Sequence, residues 1–231
     1  CTRLHSFLNW LHLRTFTIPN ITLCLLEYGT KPCIHQKGDI EYTITGKGIP
    51  VLFMHGGHSN CMPGIWHEGF DPFEYQIITP SRPGYGGTPL GANGSPEKTA
   101  ELMVGLLDKL SIEKVILYGI SAGGLSSIAM AANHSKRVDK LILASALSGD
   151  WLKKDEKNYK VAHVLFRPGT EKLTWAAIRF FASCFPGAMA WYFFQEFSSC
   201  KFTKKTKKEI KQLVAMLKDF RSGEGFLNDI H

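Results

Sequence analysis

The stretch Lys114-Val-Ile-Leu-Tyr-Gly-Ile-Ser-Ala-Gly-Gly124 limits what this chain can fold into more than any other. Val115, Ile116 and Leu117 form the continuous apolar run of a strand covered on both faces. Gly119-Ile-Ser-Ala-Gly123 then fits G-x-S-x-G, in which a serine sits on a sharp strand-to-helix turn. Such a turn leaves no room for side chains flanking the serine, and Gly119 and Gly123 carry none. The helix that follows directs its unpaired N–H groups and its positive dipole end toward Ser121. Ser121 is therefore the candidate nucleophile. A glycine turn that merely starts a helix would show the same five residues, so Ser121 needs company from elsewhere in the chain.

That company lies upstream. Pro50-Val-Leu-Phe-Met54 reads as a second buried strand, running into His55-Gly56-Gly57-His58. Glycines after a strand end free the backbone to aim N–H groups at a developing negative charge. Gly57 N–H, together with Ala122 N–H just past the serine, makes the candidate oxyanion hole. Residues 39–45 alternate as an antiparallel strand, Gly46-Lys-Gly48 turns, and residues 76–80 form a short buried strand. Ser81-Arg-Pro-Gly-Tyr-Gly-Gly-Thr-Pro89 is a long punctuated loop. Ser95 and Pro96 are the N-cap and first residue of a helix. Its Leu102, Met103, Leu106, Leu107 and Leu110 form an apolar stripe. A helix over 122–133 is expected to bury Leu125, Ile128, Ala129 and Ala132, and a strand over 139–145 follows. This alternation predicts an α/β fold, a mostly parallel sheet flanked by helices, with active residues at the carboxyl ends of the strands.

Four motifs in this order resemble the N-terminal half of the α/β-hydrolase fold family over residues 38–150. They are His55-Gly-Gly57, Ser81-Arg-Pro-Gly-Tyr-Gly86, Gly119-Ile-Ser-Ala-Gly123 and Arg137-Val-Asp-Lys-Leu-Ile-Leu143. The resemblance implies an eight-stranded sheet, a serine nucleophile and hydrolysis of an ester, amide or thioester. It implies no metal and no cofactor, and a small-molecule acyl substrate as the partner. It does not fix the substrate. A carboxylic ester, cleaved through an acyl-enzyme at Ser121, is the expected case. One alternative is an iminopeptidase-type peptidase, suggested by His55-Gly-Gly, although His58 stands where that type has proline. The other is a non-catalytic ligand-binding protein on the same fold.

Beyond residue 146 the composition shifts to Lys, Phe and Trp at helical spacing. Residues 151–231 resemble the helical cap that covers the active site in this family. Tyr192, Phe193, Phe194, Phe197, Phe202, Leu213, Met216, Leu217 and Phe220 are expected to pack along its helix faces. The expected division is a poorly ordered extension over 1–37, a core over 38–150 and the cap over 151–231. The family orders its triad as serine, acid, histidine. The downstream histidines are His134, His163 and His231. His134 ends the helix that starts at the serine, roughly 20 Å away at ~1.5 Å per residue. None of the three follows a strand, and Asp150 is only a variant candidate for the acid. The expectation is an incomplete sheet with its last strands missing. The chain would then be an inactive fragment lacking the triad acid and histidine, with strand 141–144 left as an unprotected apolar edge.

A hydrophobic content of 44% with 20% charged residues is that of a soluble globular protein. The net charge of +7 includes a cluster at Lys201, Lys204, Lys205, Lys207, Lys208 and Lys211. No aromatic residues are interleaved there in a recognition pattern, so a solvated helix face is expected and nucleic acid is not. No apolar run in 1–34 is long enough to span a bilayer, and no clean leader pattern is present, so a membrane is not expected as partner. Six scattered cysteines without metal-ligand spacing point to reduced thiols and the cytoplasm.

Overall fold

The computed structural model describes residues 16–18, 21–23, 35–37, 40–62, 67, 69–197 and 207–230. β1 (Phe16–Ile18) and β2 (Ile21–Leu23) form a separate antiparallel pair. The main sheet holds β3 (His35–Lys37), β4 (Ile40–Gly46), β5 (Ile49–Met54), β6 (Tyr75–Pro80), β7 (Val115–Ile120) and β8 (Val138–Ala144). Its order is β3-β4-β6-β5-β7-β8. β4 runs antiparallel to both β3 and β6, while β6, β5, β7 and β8 are mutually parallel. The sheet is mixed and mostly parallel, as expected, and it starts at His35, ahead of the residue 38 boundary. β1 and β2 also fall within the expected 1–37 extension, and the rest of it lies outside the described residues.

β5 lies at the centre, and its Val51, Leu52, Phe53 and Met54 are each 0% exposed. Parallel neighbours need crossovers, and helices supply them. α1 (Pro96–Lys109) leads from β6 to β7, and α2 (Gly123–Asn133) from β7 to β8. α1 starts as its sequence dictates: Ser95 Oγ accepts the Lys98 N–H, and Pro96 occupies the first turn. Its Met103, Leu106 and Leu107 are buried in the core, with Leu102 and Leu110 packed at the margin.

α2 departs from expectation. It buries Ser126, Ser127, Ala129 and Met130, leaves Leu125 and Ile128 half-buried, and exposes Ala132. The cause is its close approach to β7. A Cβ at Gly119 would lie 2.5 Å from Ser127 Oγ, so only a small side chain fits there. The Ser127 hydroxyl meets its own need by donating to Gly123 O at 2.8 Å. A hydroxyl bonded inside its own helix can be buried at little cost.

β8 is an edge strand. Among the described residues it pairs only with β7, and Leu141, Ile142 and Leu143 are 38–44% exposed. This is the apolar edge expected for residues 141–144.

Five helices follow β8: α3 (Lys157–Leu165), α4 (Glu171–Cys184), α5 (Pro186–Phe197), α6 (Lys207–Asp219) and α7 (Gly225–Asp229). Trp175, Ala182, Leu217 and Phe220 form a core between α4 and α6, with Met189 and Phe193 of α5 against it. Leu213 and Met216 also pack there, as expected. Tyr192 does not: it is 56% exposed, and Trp191, Phe180, Phe181 and Phe185 also face solvent. Met189, Ala190 and Phe193 occupy the inward face of α5, so the intervening 191 and 192 point outward at helical spacing. The side chains of Phe194 and Phe197, and all of Phe202, lie outside the described residues, as do Lys201, Lys204 and Lys205. Lys208 and Lys211 are exposed. Tyr159 and Ala162 of α3 cluster with Tyr85, Phe226 and Ile230. No helix among the described residues is long and apolar enough to cross a membrane.

Candidate active site

Ser121 stands at the corner between β7 and α2 with φ +51. A residue with a Cβ adopts that left-handed conformation only when its surroundings enforce it. Here they do. Ser121 N–H donates to Ala144 O at 3.2 Å, and Ser121 O accepts from Gly124 N–H at 3.0 Å and Leu147 N–H at 2.9 Å. The corner is also wedged against β5. A Cβ at Gly123 would lie 2.3 Å from Met54 O, which rules out any other residue without backbone movement.

β5 and β7 are parallel neighbours with Met54 opposite Gly119, so the residues after each strand emerge at the same end of the sheet. That register brings the glycine loop to the serine. A Cβ at Gly56 would sit 3.1 Å from Ser121 Cβ and 3.6 Å from Ser121 Oγ. Ala122, buried, is the residue from which α2 starts. Gly57 lies next along the loop, facing Phe226 and the Tyr85 hydroxyl. Among the described residues neither Gly57 N–H nor Ala122 N–H donates a hydrogen bond. Ser121, Ala122 and the loop carrying Gly57 are thus gathered at one corner.

Among the described residues, neither His134 nor His163 pairs with Ser121. His134 caps the far end of α2, His163 lies in α3 with its ring 4.4 Å from that of Tyr159, and Asp150 is exposed. His231 lies outside the described residues. Among those residues, none hydrogen-bonds the Ser121 hydroxyl.

His55 is close but committed elsewhere. It is 1% exposed, and its Nε2 accepts the Arg82 N–H at 2.9 Å. Nδ1 therefore carries the proton and donates to Gly56 O at 2.7 Å. Burial, then the Arg82 charge, pulls its pKa down to about 3 against the opposing pull of the Gly56 bond. The ring is neutral with both nitrogens occupied.

His58, with φ +60, docks the helical segment onto the loop. Its ring packs against Phe226, Phe166 and Trp175, with centroids 3.8, 4.7 and 5.1 Å away. Its Nδ1 lies 2.8 Å from Ser222 Oγ, which also accepts the Trp175 indole N–H at 2.8 Å. Burial pulls the His58 pKa down to about 3 as well.

Three residues next to the site carried no role in the sequence reading: Arg82, Tyr85 and Asp229. The Arg82 guanidinium grips both oxygens of Asp229 at 2.9 and 2.6 Å, and its Nε–H donates to His55 O at 2.8 Å. The Tyr85 hydroxyl donates to Asp229 Oδ2 at 2.6 Å. Burial lowers the Arg82 pKa, but the Asp229 charge and bonds outweigh it, and the net shift is upward. Burial, then the Asp229 charge, raises the Tyr85 pKa well above its usual value. The available signal was a lone carboxylate in the apolar run Gly-Phe-Leu-Asn-Asp-Ile230. α7 reaches this position through a seam with no side chains. Gly84, at φ +82, accepts the Gly225 N–H at 3.0 Å, and a Cβ on Gly84 would lie 2.5 Å from Gly225 N. A Cβ on Gly225 would lie 2.3 Å from the Tyr85 ring.

Comparison with known proteins agrees with this architecture. The chain is 41% identical over 197 residues to the uncharacterized hydrolase YcgS of Bacillus subtilis, covering 84% of this chain and 69% of that protein. It is 29% identical over 133 residues to the 2-hydroxymuconate semialdehyde hydrolase of Pseudomonas putida, covering 56% of this chain and 44% of that enzyme, so it spans under half that relative's length. Its fold matches the alpha/beta hydrolase fold protein of Nakamurella multipartita with a TM-score of 0.63 at 24% identity, covering 86% of this chain and 73% of that one. The family model described as alpha/beta hydrolase fold matches residues 49–167. On that match and the 41% identity to the Bacillus hydrolase, this chain belongs to the alpha/beta hydrolase fold family.

Proposed function

We propose that Ser121 is the nucleophile of a serine hydrolase and that the whole protein cleaves a carboxylic ester. One observation carries this reading: a serine at positive φ stands against a glycine loop, with unengaged N–H groups on both sides. Ser121 Oγ attacks the acyl carbonyl, and Gly57 N–H and Ala122 N–H donate to the oxygen as it gains charge. Each such preorganised donor is worth about 3 kcal/mol at the transition state. The alcohol leaves, and the acyl group stays on Ser121 until water attacks it. The helices of residues 151–230 act as a cap, and an apolar cap favours short or medium acyl chains over charged ones. No described residue takes the Ser121 proton. Both the attack and turnover are therefore proposed for a protein that carries a base to take that proton and return it to the leaving alcohol. Unpaired Cys61 and Cys184 are consistent with a reducing compartment such as the cytoplasm. The Pseudomonas relative supports a second substrate class, a hydroxymuconate semialdehyde.

A fluorophosphonate probe tests the nucleophile. In a protein that carries the base, it is expected to label the wild type and not Ser121→Ala; labelling that survives the substitution discards Ser121. In a protein with turnover, a butyrate ester, a proline anilide and the semialdehyde run side by side separate the esterase, peptidase and semialdehyde readings.

A further inference from the structure

We propose that Tyr85 and Arg82, held by Asp229 of α7, are positioning residues for the oxyanion loop, residues 55–58. This rests on the reading of Ser121 as nucleophile and adds what sets the geometry of the hole.

Hydrogen bonds reach that loop from two segments, residues 82–85 and 221–222, and Phe166, Trp175 and Phe226 pack on His58. Arg82 N–H fixes the His55 ring, and Arg82 Nε–H fixes His55 O. The Tyr85 hydroxyl lies 3.8 Å from where a Gly57 Cβ would stand, and the His58 N–H is turned toward it. Arg221 N–H donates to His58 O at 2.7 Å. The loop needs such holds. His58 sits at positive φ, and Gly56 and Gly57 are free to rotate if released.

Asp229 is the keystone of the set. It takes two bonds from Arg82 and one from Tyr85, so a single carboxylate orients both side chains. The Arg82 and Asp229 side chains are only 4% and 10% exposed. Burying an ion pair gains little stability over packed apolar groups. What a bidentate pair does supply is direction, because a planar guanidinium can face the carboxylate in only a few ways. Here that direction leaves Nε–H aimed at His55 O. Arg82 and Asp229 are 147 residues apart, so the loop takes its shape only when the last helix has docked. Docking of the helical segment and arming of the hole are then one event.

The full chain, Tyr85→Phe, Asp229→Asn and Arg82→Lys test this by amide hydrogen exchange over 55–58 and, in a protein that carries the base, by the rate of fluorophosphonate labelling. Tyr85→Phe removes one oxygen and leaves the Arg82–Asp229 pair in place, so it keeps its thermal transition within a few degrees. It is expected to raise exchange at 55–58 about tenfold, leave exchange in β5 unchanged, and slow labelling about tenfold. Asp229→Asn should do the same or more. Arg82→Lys, which keeps the charge and loses the fork, should not restore the wild-type values. Wild-type exchange and labelling in folded Tyr85→Phe would overturn the proposal, and if Asp229→Asn does not fold, Tyr85→Phe decides alone. A protein that carries the base and still resists the probe would reject the nucleophile, while the exchange measurement would still decide whether the cluster holds the loop.

Discussion

Acid should unfold this protein early, because its buried histidines can take no proton while folded. The pKa of His55 drops from 6.5 to about 3 on folding. Above pH 6.5 the ring is neutral in both states and contributes nothing to the pH dependence. Below 6.5 the unfolded chain binds a proton that the native chain refuses, so stability is lost as pH falls. The loss stops growing near pH 3, where the native ring also protonates. At pH 5 it amounts to about 2 kcal/mol for this one ring, from roughly 1.5 units at ~1.36 kcal/mol each. His58, lowered to about 3, and His67, lowered to about 4, act in the same direction through burial. Both are only partly buried, so each adds less, and the three together reach about 4 kcal/mol at pH 5. Against a total stability of ~5–15 kcal/mol, that is a large fraction. Urea unfolding followed by tryptophan fluorescence at pH 7.5, 6.0 and 5.0, at constant ionic strength, measures it. His67 makes the useful control, because among the described residues its Nδ1 is buried without a hydrogen-bond partner, and His67→Phe should flatten the pH slope without touching the serine corner. A urea midpoint that stays constant from pH 7.5 to 5.0 would refute the reasoning, since it would mean the folded rings accept protons.

Two further outcomes follow from the packing. Gly123→Ala drives a methyl to 2.3 Å from Met54 O, so it should lower stability by about 3 kcal/mol and abolish probe labelling, seen in a thermal melt and the labelling gel. Ile142→Lys places a charge on the open β8 edge and should reduce self-association, read as a smaller apparent mass by light scattering at high concentration.

What the sequence disclosed and what it withheld divide by the range of the forces involved. The β7–Ser121–α2 corner and the His55-Gly-Gly loop could be read directly, because steric demands within a few residues select glycine there. The start of α1 was equally local, a serine hydroxyl meeting an N–H three residues on. The buried face of α2 was misjudged because Ser127 meets its polar need inside its own helix, which residue type alone does not announce. The Arg82–Asp229 pair was invisible because its partners are joined only by the tertiary fold. Tyr192 was misplaced for a related reason: aromatic character marks a residue as costly to expose without saying which neighbour covers it.

The glycine seam between residue 84 and residue 225 carries a lesson about how such a protein can change. Gly225 N–H meets Gly84 O there, so this contact of α7 is made by main chain alone, while Tyr159 and Ala162 of α3 pack beside Phe226. A backbone contact of this kind constrains where α7 lands without dictating the solvent-facing side chains of α3 to α6. Fixed placement and freely variable surface are thereby carried by different stretches of one polypeptide.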